Sequence, residues 1–232
     1  MRWGLAALGL TAMLAGAPAF AGESACGEAL RLTVQPAAKA PEVAAVLLRR
    51  LAAAGAASPK AEADAAGIVR TVLPQGVSDT LLTRPASIEF RLVTKPDEPG
   101  AVVLPLLGGK GSESVSPEII LNENHLREVT VRTSADPAGG PPAAALAFHF
   151  DPRAVKNLMA ATTEAVGRKL AILIDGEIVA DPIIRAPIAS MTGEIPAGSL
   201  QSASELVDLL RSGRLPAKVA IASREPAPCG TP

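Results

Sequence analysis

Any acid-base chemistry in this 232-residue sequence falls first to its two histidines, His125 and His149. His149 precedes Asp151 by two residues, so on a strand both would point to one face, as a base and its orienting carboxylate do. A structural role competes with that reading. Asp151 followed by Pro152 has the form of a helix N-cap with proline at the first helical position, and nothing nearby resembles a nucleophile elbow. Neither histidine has a metal-ligand partner at motif spacing. A hydrolase using His149 and Asp151 is therefore the remote reading, and the expectation is no catalytic residue, no metal ligand and no cofactor.

Two further segments imitate chemical motifs. The run Leu107-Gly108-Gly109-Lys110-Gly111-Ser112 invites a phosphate-loop reading, but Lys110 is followed by glycine and the upstream glycine is missing, which leaves a flexible linker. Asp175-Gly176 resembles the start of a calcium loop, yet Glu177, Ile178 and Val179 lack the alternating oxygen ligands. Its readiness for positive φ suits a tight hairpin instead. Cys26 and Cys229 are the only cysteines, one near each end, and in an oxidising compartment they are expected to pair. Two unrelated thiols in frayed tails are the alternative.

That compartment follows from the N-terminus. Met1, Arg2 and Trp3 precede an apolar run from Gly4 to Ala17, then Pro18 and the small-residue triplet Ala19-Phe20-Ala21. This is a charged start, an apolar middle and a cleavage site after Ala21, with Ala19 and Ala21 as the recognised small residues. The competing reading is an uncleaved inner-membrane anchor, since Trp3 to Ala21 reaches the length of a short membrane helix. Its Ala and Gly content favours cleavage. The expected product is a soluble periplasmic protein, associated with the membrane only if the segment stays. The 22 Lys and Arg against 23 Asp and Glu are scattered, with no basic stripe to track a phosphate backbone, so no nucleic acid is expected as partner. Phe90, Phe148 and Phe150 are the only aromatics beyond the leader, too few for stacking platforms.

The elements that must position any site read as α+β. Leu30 to Gln35 alternates as a half-buried strand; Val43, Val46, Leu47, Leu51 and Ala54 form a helical stripe with Glu42 early and Arg49 and Arg50 late. Ser58 to Leu73 reads as strand, turn at Gly67, strand. A short helix over Val77 to Leu82 and a strand from Ala86 to Val93 complete βαββαβ, the ferredoxin-like order. Thr94 to Pro142 reads as an insertion, with strands at Val102 to Leu106, Glu118 to Leu121 and Glu128 to Thr133 and a loop from Asp136 to Pro142. Ala145 to Phe150 is a strand. Val155, Leu158, Met159, Thr162 and Val166 mark a helix, and Leu170 to Ile174 and Ile178 to Ile184 form a hairpin. Ser202 and Glu205 have capping-box spacing for a helix ending at Gly213, and Lys218 to Ala222 returns to the first sheet.

The segments KLAILIDGEIVADPIIRAPI, Lys169 to Ile188, and ELVDLLRSGRLPAKVAI, Glu205 to Ile221, resemble the head of the large periplasmic domain of SecD, an accessory subunit of bacterial protein translocation. LRRLAAAG at Leu48 to Gly55, GIVRTVLPQGV at Gly67 to Val77 and ASIEFRLV at Ala86 to Val93 are similar to its base, and the helix with Thr162 and Thr163 before Gly167 also fits. The resemblance implies a ferredoxin-like base at 22–95, an inserted head at 96–213 and a returning strand at 214–232, after a signal peptide at 1–21. Two departures stand out. Ala189 to Glu194 replaces a Gly-rich turn, and Gln75 interrupts a Pro-Gly pair. The signal-like start implies a domain detached from the family's membrane helices, so proton-driven pulling is not carried over.

The function implied is a non-enzymatic module that binds polypeptide in the periplasm, with translocase components as possible partners. The peptide-contacting residues are unknown from sequence. The alternative is a structural or regulatory subunit docking on one envelope complex. For the cysteines, the expected result is one intramolecular Cys26–Cys229 bond, stabilising by about 5 kcal/mol in the chain-entropy model. Intact mass with and without reduction before alkylation checks it; two alkylated thiols in the unreduced protein would contradict it.

Overall fold

The computed structural model describes residues 25–109, 111–134 and 143–228. The leader with Ala19 and Ala21, the loop from Asp136 to Pro142, and Cys229 lie outside the described residues. Chain order opens with β1 (Ala25–Gln35), α1 (Ala40–Ala53), β2 (Ala61–Ala63), β3 (Ile68–Pro74) and α2 (Thr80–Thr83). Next come β4 (Ile88–Leu92), β5 (Val102–Pro105), β6 (Ser112–Val115), β7 (Leu121–Asn122), β8 (Leu126–Ser134) and β9 (Ala143–Phe150). The last elements are α3 (Pro152–Thr163), β10 (Leu170–Ile174), β11 (Glu177–Ala180), β12 (Thr192–Pro196), α4 (Leu200–Ser212) and β13 (Lys218–Pro228).

The base is an antiparallel sheet in the order β13-β1-β3-β2. With the insertion removed this is the ferredoxin-like arrangement, so the expected fold class holds. The period-two pattern of β1 puts Leu30, Leu32 and Val34 under α1, whose Val43, Val46, Leu47 and Leu51 complete the core. Gly27 has a packing reason: a Cβ there would meet the Leu73 carbonyl oxygen at 2.3 Å, so a side chain would push β1 off β3.

One strand differs from expectation. Ile88 to Leu92 does not close the base; β4 pairs with β10 and β7 in the head, and β13 takes the fourth base position. Alternation shows that a strand is half-buried but not which sheet buries it. Phe90 decides the matter by packing edge-on against Phe148 and Phe150, with ring centroids 6.4 and 5.6 Å away. The helix expected over Val77 to Leu82 is a single turn, α2.

The head joins the sheet β11-β10-β4-β7 to the sheet β12-β9-β8, with α3 and α4 contributing Leu158, Leu206 and Val207 to a common core. The segment read as a linker builds a second, smaller core. Hairpin β5-β6 joins β4 at one end, through Val93 with Val115, and β11 at the other, through Leu106 with Ile178. Continuing through β10, the hydrogen-bonded strands close into a small ring around Val115, Ala171, Leu173 and Ile178. Lys169 clamps its rim, bonding Glu113 at 2.7 Å and Asp181 at 2.5 Å; these carboxylates hold the ammonium above its ordinary pKa.

The chain leaves the base near Thr83 to Ser87 and returns near Gly213, and Arg50 of α1 holds both crossings. Its Nη1 donates to the carbonyls of Leu81 (2.9 Å) and Arg84 (2.7 Å), and its Nη2 to Pro85 (3.2 Å) and Gly213 (3.0 Å). The side chain is fully buried, and desolvation pushes its pKa down to about 10 against the pull of Asp175. Asp175 and Gly176 both have positive φ, as the hairpin reading requires. The Asp175 carboxylate also accepts from Arg84 Nε at 2.6 Å and from the Ser87 amide at 2.8 Å, seating the head's hairpin on the outgoing crossing.

Arg50→Met fills similar volume but strands four carbonyls, and we expect a loss of about 3 kcal/mol. Urea unfolding of the variant beside the parent measures this; an unchanged midpoint would show that the carbonyls find other donors.

Candidate functional site

Helix α3 starts where its sequence says it should. The Asp151 carboxylate accepts from the Ala154 amide at 2.6 Å, and chiefly for that reason its pKa lies below the ordinary carboxylate value. Its buried line runs through Ala154, Leu158 and Thr162. Thr162 donates its hydroxyl to the Leu158 carbonyl at 2.6 Å, and its oxygen accepts the Ile188 amide at 2.9 Å.

That second bond belongs to a series. The Gly167 amide donates to the Ile184 carbonyl at 2.8 Å, the Ile184 amide to the Arg168 carbonyl at 2.8 Å, and the Phe150 amide to the Met191 carbonyl at 2.8 Å. The irregular segment from Asp181 to Met191 therefore runs antiparallel along α3 as a strap, tied at both ends and the middle. The strand expected to continue to Ile184 stops at Ala180, because Pro182 cannot donate to a ladder and Pro187 blocks its resumption. Those prolines were the available signal for the strap. Strand β12, over residues read as an altered turn, was missed; it pairs with β9 from Thr192 opposite His149 to Pro196 opposite Ala145.

Helix and strap together leave four apolar side chains in solvent: Met159 is 49% exposed, Val166 52%, Ile183 60% and Met191 47%. Met159 lies on the same flank of α3 as Thr162, the residue tied to the strap, whereas Val166, expected in the helix, falls in the turn beyond its end at Thr163. The opposite flank, with Asn157, Ala160 and Glu164, lines a groove of about 590 Å³ against Glu118 and Ile119. Ile188 and Val155 sit half-buried at the foot of the strap side and pack on the head core. The exposed apolar side chains are thus distributed over α3, the turn after it and the strap, and two of them are flexible methionines.

The other sequence candidates take structural positions. His149 is an exposed residue of β9, opposite Glu128 and Thr192, while Asp151 caps α3. His125 caps a short 3-10 turn, where its Nδ1 accepts the Asn122 amide at 3.2 Å. Helix α4 is capped by Ser199, which accepts from the Ser202 amide at 3.1 Å, rather than by Ser202 itself. Cys26 lies in β1. Among the described residues no group of three or more His, Cys, Asp or Glu is placed to hold a metal, and no helix is long and apolar enough to cross a membrane.

A ferredoxin-like base with an α+β head inserted before the closing strand is the architecture of solved SecDF chains. One, described as a membrane component that enhances protein export, superposes with a TM-score of 0.63 at 22% identity, covering 84% of this chain and 98% of that one. A second, in a super-membrane-facing form, gives 0.65 at 22% identity, covering 85% and 30%. Residues 105–217 match the family model of the SecDF P1 head subdomain. Sequence likeness agrees: the chain is 35% identical over 78 residues to the translocase subunit SecD of Acetobacter pasteurianus, covering 33% of this chain and 15% of that protein. It is 36% identical over 101 residues to SecD of Treponema pallidum, covering 44% and 16%. Residues 105–217 are thus similar to the SecDF P1 head subdomain, and the chain shares the fold of these SecDF chains over 84–85% of its length. It spans about 15% of the length of these curated relatives.

The strap's central tie is testable. Thr162→Val keeps the shape but removes the acceptor of the Ile188 amide, and we expect a loss of about 1 kcal/mol with faster exchange of that amide. Hydrogen exchange read residue by residue checks it, with Thr162→Ser as the restoring control; equal exchange in all three proteins would mean the strap is held elsewhere.

Proposed function

We propose that this chain is an accessory module of protein export that works in the periplasm and holds extended polypeptide on its head without catalysing a reaction. The observation that carries this reading is the exposure of the apolar side chains Met159, Val166, Ile183 and Met191 on a head that matches the SecDF P1 head subdomain. An extended chain offers apolar side chains at every second residue, and separate exposed apolar side chains suit such a client better than a folded surface. His149 and Asp151 take no part in chemistry on this reading, and no metal or cofactor is required. Translocase components are the natural neighbours, given the SecD likeness.

The same proposal includes export by the N-terminal segment with cleavage after Ala21, and pairing of Cys26 with Cys229. The strand pairing brings the end of β13 alongside the start of β1, with Ala25 opposite Pro228.

Photo-crosslinking in cells from Met191 and Ile188 tests the binding reading. The expected result is capture of many different exported chains in their unfolded forms, with Arg31 on the open face of the base sheet as a silent control. A single stoichiometric envelope protein captured from both head positions would instead establish a fixed docking subunit.

A further inference from the structure

Oxidants that reach this chain find few side chains to attack. Beyond the leader it has no tyrosine and no tryptophan, and its two cysteines are those that the proposal above pairs. Met159 and Met191 are its only thioethers there. Both stand in solvent, 49% and 47% exposed. The cores are packed with Leu, Ile, Val, Ala and Phe side chains and hold no methionine among the described residues. The bonds these two residues make use the main chain and not the sulfur: the Met159 carbonyl accepts the Thr163 hydroxyl at 2.7 Å, and the Met191 carbonyl accepts the Phe150 amide at 2.8 Å. The thioether sulfur therefore lies on the outside of the head, and the packing of the fold does not depend on it.

We infer that Met159 and Met191 are a reversible oxidation site through which peroxide lowers the head's affinity for polypeptide without unfolding the domain. This rests on the polypeptide-binding reading and adds its regulation. In the step, a thioether sulfur attacks one oxygen of hydrogen peroxide; an S–O bond forms and the O–O bond breaks. The departing hydroxide takes the proton from the oxygen now on sulfur and leaves as water. The sulfur is oxidised by two electrons and the peroxide is reduced by two. The product sulfoxide is polar and chiral where the thioether was apolar and pliant. Its oxygen must shed water before an apolar client side chain can lie against it, which opposes contact. Each sulfur acts at its own position, one on α3 and the other at the end of the strap. Reversal falls to a methionine sulfoxide reductase, which removes the oxygen as water while a dithiol becomes a disulfide.

The test treats the full chain with hydrogen peroxide, maps each sulfoxide by peptide mass spectrometry, and titrates a fluorescent, permanently unfolded, apolar-rich polypeptide by anisotropy. Expected are sulfoxides at both methionines, an unchanged thermal midpoint and binding about fivefold weaker. Methionine sulfoxide reductases for both sulfoxide epimers, supplied with a dithiol, should restore binding, and the dithiol alone should not. Met159→Leu with Met191→Leu keeps the apolar surface and should bind as the parent does, before and after peroxide; Met159→Gln with Met191→Gln should imitate the oxidised protein. If the oxidised parent binds as tightly as the untreated parent, the oxidation site is wrong and the polypeptide-binding reading stands. A fallen midpoint, or peroxide-sensitive binding in the leucine variant, would also overturn it, by placing the effect in the fold or at another residue. If the untreated parent binds no unfolded chain, the polypeptide-binding reading fails and this inference with it.

Discussion

A buried guanidinium with no carboxylate in contact is the constraint around which this chain is organised. Arg50 donates to the carbonyls of Leu81, Arg84, Pro85 and Gly213, so one side chain from the first helix fixes both the segment that leaves the base and the segment that returns to it. Burying a charge is costly where its donors lack acceptors; both Nη groups find them, while Nε is buried without a partner among the described residues. Carbonyls just past helix ends supply two of the Nη acceptors: Arg84 follows α2 and Gly213 follows α4. The arrangement makes head and base interdependent, since neither crossing can shift without stranding part of the guanidinium.

Beyond the junction the head is rigid for two separate reasons. Its main core is conventional, with two sheets and two helices around Phe90, Phe148 and Phe150. Its second core exists because the glycine-rich segment folds as hairpin β5-β6 and closes a ring with β4, β10 and β11. The helix and strap that carry the exposed apolar side chains stand on this frame. A strap without regular structure would ordinarily move, but bonds to Gly167, Arg168, Thr162 and Phe150 spaced along its length deny it that freedom. A surface held in place loses little further entropy when a client settles on it.

Local pattern carried most of the fold. The alternation of Leu30, Leu32 and Val34, the proline after Asp151 and the Asp175-Gly176 turn each specify their own element, because a period, a cap or a positive φ acts over a few residues. What stayed hidden was long-range. Nothing between Ala86 and Val93 says that its partners are β10 and β7 rather than the base strands, and nothing near Leu107 says that the glycines lie in a hairpin loop and not a linker. The role of Arg50 was equally invisible, since late arginines in a helix ordinarily serve the helix dipole in solvent. Met159 and Val166 could be sensed only as part of a helical pattern; that they remain outside follows from where the strap lies, which Pro182 and Pro187 mark but do not fix.

The account turns on where an extended polypeptide sits, and hydrogen exchange of the domain with and without an unfolded, apolar-rich chain measures this directly. Slower exchange confined to α3 and to the amides from Ile183 to Met191 is the expected result, with the outer edge of β13 unchanged. Protection that appears along β13 and spares the strap would contradict it, moving the binding surface from the head to the open edge of the base sheet.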